Sequence, residues 1–345
     1  MGDFFTPKER LLRTLNKKGV ERPPVICPGG MMNSAIVEIM ETTGHTLPDA
    51  HRDWRLMSQL ADDVFNLTGF ENIGIPFCMT VEAEALGSEV DLGSLKCEPK
   101  IAREPYASVD NVDFLPVSAV AKSPRTEIVI QSIASLSKKQ PDVPVIGSVT
   151  GPVSTAASIT DPMTFLKELY KNKDMTHKVL DYVTDALIEY ARLLVDNGAA
   201  VISIADPTAT GEILGPRIFA EYAVTYLNKL ADSIHKLGVP VIIHICGKVG
   251  SVTGNLKDLR CDAISTDAMV NLHSLKEELK DTTVMGNIST YLLEFGNEES
   301  VRQNTSRLVE KGIDIIAPAC GLSTSTSLKN IRALTGAVSG GVYHA

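Results

Sequence analysis

The sequence lacks the positive charge and the long apolar runs that mark two large classes of protein. Lys and Arg number 33 against 42 Asp and Glu in 345 residues, a formal net charge of −9. Because proteins bind phosphate backbones through clustered positive charge, we expect no nucleic-acid partner. No apolar stretch approaches the roughly 18 residues of a membrane-spanning helix, and four of the first ten residues are charged, where a signal peptide needs an apolar run. We therefore expect a cytoplasmic protein with no membrane partner.

Disulfide frameworks and several catalytic motifs are also missing. Six cysteines in a chain of this length are too few for a disulfide scaffold, so we expect core, metal-binding or catalytic cysteines. The sequence contains no P-loop, no Gly-X-Gly-X-X-Gly after a strand, no Gly-X-Ser-X-Gly and no His-Glu-X-X-His. It also lacks internal repeats and linkers. With 44% hydrophobic and 22% charged residues, the chain has the composition of a folded globular protein.

Short apolar, β-branched runs alternate with amphipathic stretches, which is typical of βα units around a parallel sheet. The predicted strands are residues 24–27, 72–78, 144–149, 199–205, 240–246, 263–267, 283–288 and 314–320. Eight strands favour an α/β fold of the (β/α)8 TIM-barrel type, formed by one domain over residues 1–345. An open doubly wound sheet stays an alternative, since alternation alone does not show closure.

Capping signals predict the helices. Thr6-Pro7-Lys8-Glu9 reads as a capping box with proline at the first helical position, so we expect a helix over residues 6–18 within an N-terminal segment, 1–22, that packs on the barrel. Further helices are predicted over 162–197, 216–237 and, capped by an asparagine, 298–311. Residues 87–122 are expected to be irregular or an antiparallel excursion.

Three soft donors stand at predicted strand ends, where the active site of such a barrel lies. His244 and Cys246 are two apart, so both side chains leave the same face of a strand about 7 Å apart at the backbone, and Cys320 is a third candidate. Zinc prefers this donor set, and three protein ligands leave a fourth position for a substrate. Buried cysteine and histidine are, however, also common core residues, and that interpretation stays open.

Other polar residues fall at the same rim. Asp and Asn at such turns commonly cap helices, but a carboxylate near an ion could fill its open position or orient His244. These residues are Asp206, Asp267, Asn287, Glu82 and Glu84. Cys27 and Cys78 are expected in the core or the substrate pocket. Cys97 and Cys261 are expected away from the rim and inert.

Four separated blocks carry a resemblance to a known family. They are residues 22–33 (RPPVICPGGMMN), 74–87 (GIPFCMTVEAEALG), 244–247 (HICG) and 318–321 (PACG). They resemble the methylcobamide:coenzyme M methyltransferases of the uroporphyrinogen decarboxylase superfamily, and the resemblance runs essentially from end to end. It implies a (β/α)8 barrel, with zinc on the residues that match the family ligands, His244, Cys246 and Cys320.

The reaction that the resemblance implies is methyl transfer from a methylcobamide, carried by a separate corrinoid protein, to a zinc-bound thiolate. The expected acceptor is coenzyme M, whose sulfonate needs cationic partners; Arg217 and Lys248 are candidates. Catalytic roles are predicted for Glu84, the apparent match of a family carboxylate, and for Asp206. Substrate contacts are predicted for the residues Met79, Asn287 and Asp267.

Three alternatives remain. The decarboxylase branch holds a tetrapyrrole's carboxylates with arginines in the loop after the first strand, but residues 27–33 here carry no positive charge, and Cys320 stands where those enzymes commonly have histidine. The same zinc enzyme could methylate another acceptor, such as tetrahydrofolate. A barrel that binds corrinoid without catalysis is the third.

Overall fold

Short runs rich in Val and Ile supply most of the strands, because β-branched side chains pack well in a sheet that is buried on both faces. The computed structural model describes residues 4–340. Within them the strands are β1 (Ile73–Ile75), β2 (Glu89–Asp91), β3 (Lys100–Arg103), β4 (Val145–Thr150), β5 (Val201–Ala205), β6 (Val241–Ile245), β7 (Ala263–Thr266), β8 (Thr283–Ile288) and β9 (Ile315–Pro318). Seven of them form one parallel sheet in the order β1, β4, β5, β6, β7, β8, β9.

Residues 24–27 close this sheet into a barrel. Val25 forms a parallel bridge with Ile316 of β9, and the backbone N–H of Ile26 donates to the carbonyl of Ile316 at 3.0 Å. On the other side, the carbonyl of Val25 accepts from the N–H of Glu71, just before β1, at 2.8 Å. This segment therefore takes the place of the eighth strand. The predicted (β/α)8 barrel is confirmed, and the open doubly wound sheet is excluded.

The observed strands agree with the predicted ones to within a few residues. β8 has the predicted bounds, and β4 to β7 differ from prediction by at most two residues at either end. β1 ends before Pro76, which has no N–H to donate to a ladder, and β9 ends at Pro318. Cys246 and Cys320 consequently lie in the loops just beyond the strands.

The helices surround the barrel on its outer face. They are α1 (Pro7–Leu15), α2 (Val37–Thr43), α3 (Trp54–Thr68), α4 (Val81–Ala85), α5 (Pro124–Lys139), α6 (Pro152–Ile159), α7 (Pro162–Lys171), α8 (Lys173–Asp196), α9 (Gly211–Ile218), α10 (Thr225–His235), α11 (Thr253–Leu256), α12 (Leu272–Glu278), α13 (Thr290–Phe295), α14 (Glu298–Glu310) and α15 (Leu328–Ser339). Shorter helical turns of the 3-10 type cover Asp49–His51, Val109–Asn111 and Val117–Lys122, and a π-helix covers Phe219–Val224.

The capping signals in the sequence predict where helices begin more accurately than where they end. Thr6 and Glu9 form the expected capping box, but α1 ends at Leu15 instead of Lys18. The single helix predicted over 162–197 is two helices, α7 and α8, which meet at Asn172. The helix predicted over 216–237 consists of the end of α9, the π-helix and α10. The predicted asparagine cap of α14 is present.

Helix α1 is fixed to the barrel by apolar contacts and by a buried ion-pair network. Leu11 and Leu15 are buried, and burying each stabilises the fold by about 1.5 to 3 kcal/mol. The Arg10 guanidinium, also fully buried, pairs with Glu21 and Glu71. A buried cation needs such partners, since it has lost its hydration.

The segment between α4 and α5 is an antiparallel excursion, as expected. β2 and β3 pair antiparallel, and the connection between them reaches the mouth of the barrel. There the Thr324 hydroxyl donates to the carbonyl of Lys96 at 3.1 Å, which ties this connection to the loop after β9.

Among the helices of residues 4–340, none combines the length and the apolar character that a membrane-spanning segment requires.

Candidate metal centre

Three side chains from two distant parts of the sequence converge at the mouth of the barrel. His244 lies on β6, Cys246 directly follows β6, and Cys320 follows β9. One donor atom of each lies within 4.8 Å of the others. Nε2 of His244 is 3.1 Å from Sγ of Cys246, whose sulfur is 4.0 Å from Sγ of Cys320. The fold therefore brings together the three residues that the sequence predicts as metal ligands.

This donor set fits zinc. Around a tetrahedral zinc ion with Zn–S distances of about 2.3 Å and Zn–N distances of about 2.0 Å, two sulfurs stand about 3.8 Å apart and a nitrogen and a sulfur about 3.5 Å apart. The observed separations of 4.0 Å and 3.1 Å are near these values. Two thiols and one imidazole are also the soft and borderline donors that zinc prefers over harder ions.

Ser265 orients the histidine. β6 and β7 pair in parallel with His244 opposite Ser265, and Nδ1 of the imidazole is 2.9 Å from the serine Oγ. Both side chains are fully buried. Because Nδ1 is engaged by the hydroxyl, Nε2 is left to face the two cysteines, which is the arrangement that metal-ligating histidines usually adopt.

The pKa values of the two cysteine thiols are shifted in opposite directions. The hydrogen bond from Cys246, followed by one from His244, lowers the pKa of the Cys320 thiol against the opposing effect of burial. The same contact with Cys320, together with burial, raises the pKa of the Cys246 thiol, and the negative charges of Asp267 and Asp206 raise it further. One sulfur of the pair thus carries negative charge readily, as a cation site requires.

A cavity of about 790 Å³ opens beside Cys320. One wall is the connection between β2 and β3, and another is helix α13 with the loop after β9. The lining residues are Gly30, Met31, Cys78, Met79, Lys96, Cys97, Glu98, Pro99, Lys100, Thr290, Glu294, Cys320, Gly321, Leu322, Ser323 and Thr324. Its volume suits a small organic substrate.

The positions of the other four cysteines differ from the expectation in one case. Cys97, expected away from the rim, is exposed and lines the cavity with Cys320. Cys78 is a pocket residue. Cys27 is a core residue whose thiol is 2.9 Å from the Met32 carbonyl, and burial raises its pKa to about 12. Cys261 precedes β7, at the opposite end of the barrel, as expected.

Glu84 belongs to a cluster next to the cavity. Its carboxylate accepts from Nη1 of Arg125 at 2.9 Å, and the same guanidinium donates to Sγ of Cys78 at 2.8 Å and to Thr80 at 3.1 Å. Arg125 is 5% exposed, so this cation depends on those partners. Met79, predicted to contact substrate, lines the cavity itself.

Asp206 is fully buried and caps helix α6. Oδ1 accepts from the backbone N–H and the hydroxyl of Ser154 at 2.8 Å and 2.6 Å, and Oδ2 accepts from the N–H of Val153 at 3.0 Å. Burial raises its pKa against these hydrogen bonds. Glu82 is bound in a similar way by the backbone and hydroxyl of Thr150. The predicted catalytic role of Asp206 stays a prediction beside this structural one.

Asn287 and Asp267 lie together after β8 and β7. The Asn287 amide donates to the carbonyls of Asp267 and Val270 at 2.8 Å and 2.9 Å, and the Asp267 carboxylate accepts from Met269 at 3.3 Å. Neither residue belongs to the cavity lining given above. Their predicted contact with substrate stays a prediction.

The two cations considered for a sulfonate are elsewhere. The Arg217 guanidinium lies over the ring of Tyr170 at 5.8 Å. The backbone N–H of Lys248 donates to the Glu212 carboxylate, and Nζ of the same lysine is 3.8 Å from Oε1 of Glu212. Neither lines the cavity. In the described part of the chain, the cations that do so are Lys96 and Lys100.

Sequence reasoning missed several residues of the site. Ser265 in the buried run Ala-Ile-Ser-Thr of β7 was a visible signal, since a buried hydroxyl needs a partner. Met31, whose sulfur is 3.5 Å from Cys246, and Arg125 gave no such signal, because their positions depend on contacts far along the chain.

The closed barrel has a candidate site for a soft metal ion, formed by His244, Cys246 and Cys320 at the C-terminal ends of its strands. This is the architecture of a (β/α)8 enzyme. The family model described as uroporphyrinogen decarboxylase (URO-D) matches residues 6–340. The chain belongs to this family and, within it, to the methylcobamide:coenzyme M methyltransferases, and it is a methyltransferase.

Two relatives and one solved structure support this placement. The methylcobamide:CoM methyltransferase MtaA of Methanosarcina barkeri is 33% identical over 338 residues, which cover 96% of this chain and 97% of the relative. The methylcobamide:CoM methyltransferase MtbA of Methanosarcina acetivorans is 31% identical, with coverage of 95% and 96%. A methyltransferase structure from Methanosarcina mazei matches with a TM-score of 0.91 at 31% identity, covering 96% of this chain and 98% of its own. The predicted family and enzyme class are confirmed.

Proposed function

We propose that this enzyme transfers a methyl group from a methylated corrinoid, carried by a separate corrinoid protein, to the thiol of coenzyme M, with zinc held by His244, Cys246 and Cys320. The observation that carries the proposal is the convergence of these three donors within 4.8 Å at the edge of an open cavity. The names of the relatives support the corrinoid and the thiol.

Several residues around the candidate zinc site suit the binding of a small thiol that carries a sulfonate. Zinc, when bound, supplies a Lewis acid that lowers the pKa of an incoming thiol and makes it a thiolate near neutral pH. Ser265 keeps the imidazole in the ligating orientation, and Met31 and Met79 provide soft, apolar surface near the sulfurs. Lys96 and Lys100 line the same cavity and suit the sulfonate end of the acceptor.

The reaction balances without a further reactant. The acceptor sulfur forms a bond to the methyl carbon as the cobalt–carbon bond breaks, the electron pair of that bond stays on cobalt as Co(I), and the thiol proton passes to solvent. We propose catalytic roles for Glu84, which contacts Arg125, and for Asp206. Both lie in the elements that follow β1 and β5 at the mouth of the barrel.

The alternatives are less well supported by the site. A tetrapyrrole's carboxylates need cations after the first strand, yet the loop there places Met31 against Cys246. Tetrahydrofolate as acceptor requires the same zinc centre, so only an assay separates it from coenzyme M.

Acceptor dependence tests the proposed function. With methylcobalamin as donor, we expect Co(I) formation, followed by absorbance under anaerobic conditions, to require coenzyme M and to stay at background with tetrahydrofolate. Turnover with tetrahydrofolate alone would favour the other acceptor, and no turnover with either would contradict the proposal.

Ser265 gives a test of the orienting hydrogen bond. Ser265→Ala should weaken zinc binding by about 10- to 100-fold, because the imidazole loses the partner that fixes its orientation. Ser265→Thr retains the hydroxyl and should keep most of the affinity. The measurement is competition for zinc with a chromophoric chelator, and equal affinities in all three proteins would show that the hydrogen bond has no such role.

A further inference from the structure

A second cavity, of about 710 Å³, lies at the opposite end of the barrel from the metal centre. It is formed by segments that lead into residues 24–27, β8 and β9, whereas His244 lies near the C-terminal end of β6 and Cys246 and Cys320 follow β6 and β9. Because the strands of the sheet are parallel, segments that precede strands gather at the N-terminal end of the barrel. The lining residues are Thr14, Lys17, Lys18, Gly19, Val20, Glu21, Arg22, Pro23, Lys276, Leu279, Lys280, Thr282, Thr283, Val309, Gly312, Ile313 and Asp314.

We propose that this cavity binds a nucleoside polyphosphate. Its lining carries five cationic and two acidic side chains, an excess of positive charge in a chain whose net charge is −9. A concave, locally cationic surface on an acidic protein attracts small multivalent anions.

Both acidic side chains of the cavity already have partners. The Glu21 carboxylate accepts from Nε and Nη2 of Arg10 at 2.9 Å and 2.6 Å. The Asp314 carboxylate accepts from Nζ of Lys276 at 2.5 Å and from the N–H of Val284 at 3.0 Å. Neither is therefore available to neutralise the remaining lysines.

Three lysines remain poorly compensated. Within residues 4–340, Lys18 and Lys280 have no ion-pair partner, and Nζ of Lys17 is 3.9 Å from a carboxylate oxygen of Asp281, an almost fully exposed side chain. Such a long, exposed pair contributes little. The Arg22 guanidinium donates to the Glu71 carboxylate from Nη1 at 2.9 Å and from Nη2 at 2.8 Å, so this side chain is held in place in the cavity lining. Phosphate groups would supply the counter-charges that the protein does not.

The lining also has an apolar part that suits a nucleobase. Val20 and Val309 are half-buried and offer apolar surface to a base, whereas Leu279 and Ile313, at 3% and 2% exposure, belong to the core behind it. A volume of about 710 Å³ is within the usual range for a ligand of nucleotide size. The combination of an apolar patch and unpaired ammonium groups favours a nucleotide over a bare inorganic anion.

Titration calorimetry with adenosine triphosphate tests this inference. We expect saturable binding that weakens with added salt, and about 10-fold weaker binding in the double variant Lys18→Ala/Lys280→Ala, since two charge contacts are lost. Lys138→Ala/Lys178→Ala removes the same charge from exposed positions on α5 and α8 and should bind like the wild type. Inorganic tripolyphosphate should compete with adenosine triphosphate, and adenosine should compete much more weakly.

The inference would be overturned by a lack of saturable binding up to about 1 mM adenosine triphosphate, by unchanged binding in the Lys18/Lys280 variant, or by an equal loss of binding in the control variant. Adenosine competing as well as adenosine triphosphate would also overturn it, because the lysines would then not hold the phosphates. The binding experiment needs neither corrinoid nor thiol, so its result does not depend on the proposed methyl transfer.

Discussion

Purified Cys320→Ala protein is expected to contain little zinc and to have lost thiol-dependent demethylation of methylcobalamin. Cys320 supplies one of three donors within 4.8 Å, and loss of a direct ligand should weaken metal binding by more than about 100-fold, since changes in the surrounding hydrogen bonds alone cost 10- to 100-fold. Cys246→Ala should have the same effect. Metal content by mass spectrometry and initial rates measure both consequences.

Cys261→Ala is the matched control for these variants. Cys261 is also a free, partly buried cysteine, but it precedes β7 at the far end of the barrel. We expect it to keep its zinc and its activity. If Cys246→Ala and Cys320→Ala likewise kept full metal and full activity, the assignment of the metal centre would be wrong.

Asp206→Ala is expected to lower the free energy of unfolding by about 2 to 3 kcal/mol. The change removes three hydrogen bonds and leaves the buried N–H groups of Val153 and Ser154 at the start of α6 without an acceptor. Asp206→Asn keeps the volume but offers one acceptor oxygen instead of two, so an intermediate loss is expected. Denaturant titration of each variant measures the effect.

Asp161→Ala is the control variant for Asp206→Ala, because Asp161 caps a helix at a solvent-exposed position. Asp161 accepts from the N–H of Thr164 at 2.8 Å at the start of α7, and this contact is exposed. Its loss should destabilise the protein less, because water can replace the cap. Equal stability of Asp206→Ala and the wild type would contradict the capping role and strengthen the predicted catalytic one.

The strands and the three candidate metal donors could be predicted because the sequence signals for them are local. A run such as Val-Ile-Ile-His-Ile shows by itself that β6 is buried and that His244 lies near its end. Closure of the barrel could not be read in this way, since it depends on Val25 pairing with Ile316, 291 positions later (316 − 25).

The partners of the site residues were the hardest part to predict. Ser265 reaches His244 through the register of two neighbouring strands, and Arg125 reaches Glu84 from a different helix. Cys97 was placed wrongly because the connection between β2 and β3 carries no local signal that it turns back over the barrel mouth. The break at Asn172 was missed for a similar reason, since apolar periodicity continues through it.

Zinc K-edge X-ray absorption on the purified wild-type protein tests the metal centre most directly. We expect about one zinc per chain, with two sulfur neighbours at about 2.3 Å and one imidazole nitrogen at about 2.0 to 2.1 Å, and a third sulfur when coenzyme M is added. A spectrum with no sulfur neighbours, or a protein purified without zinc that gains none on incubation, would contradict the account.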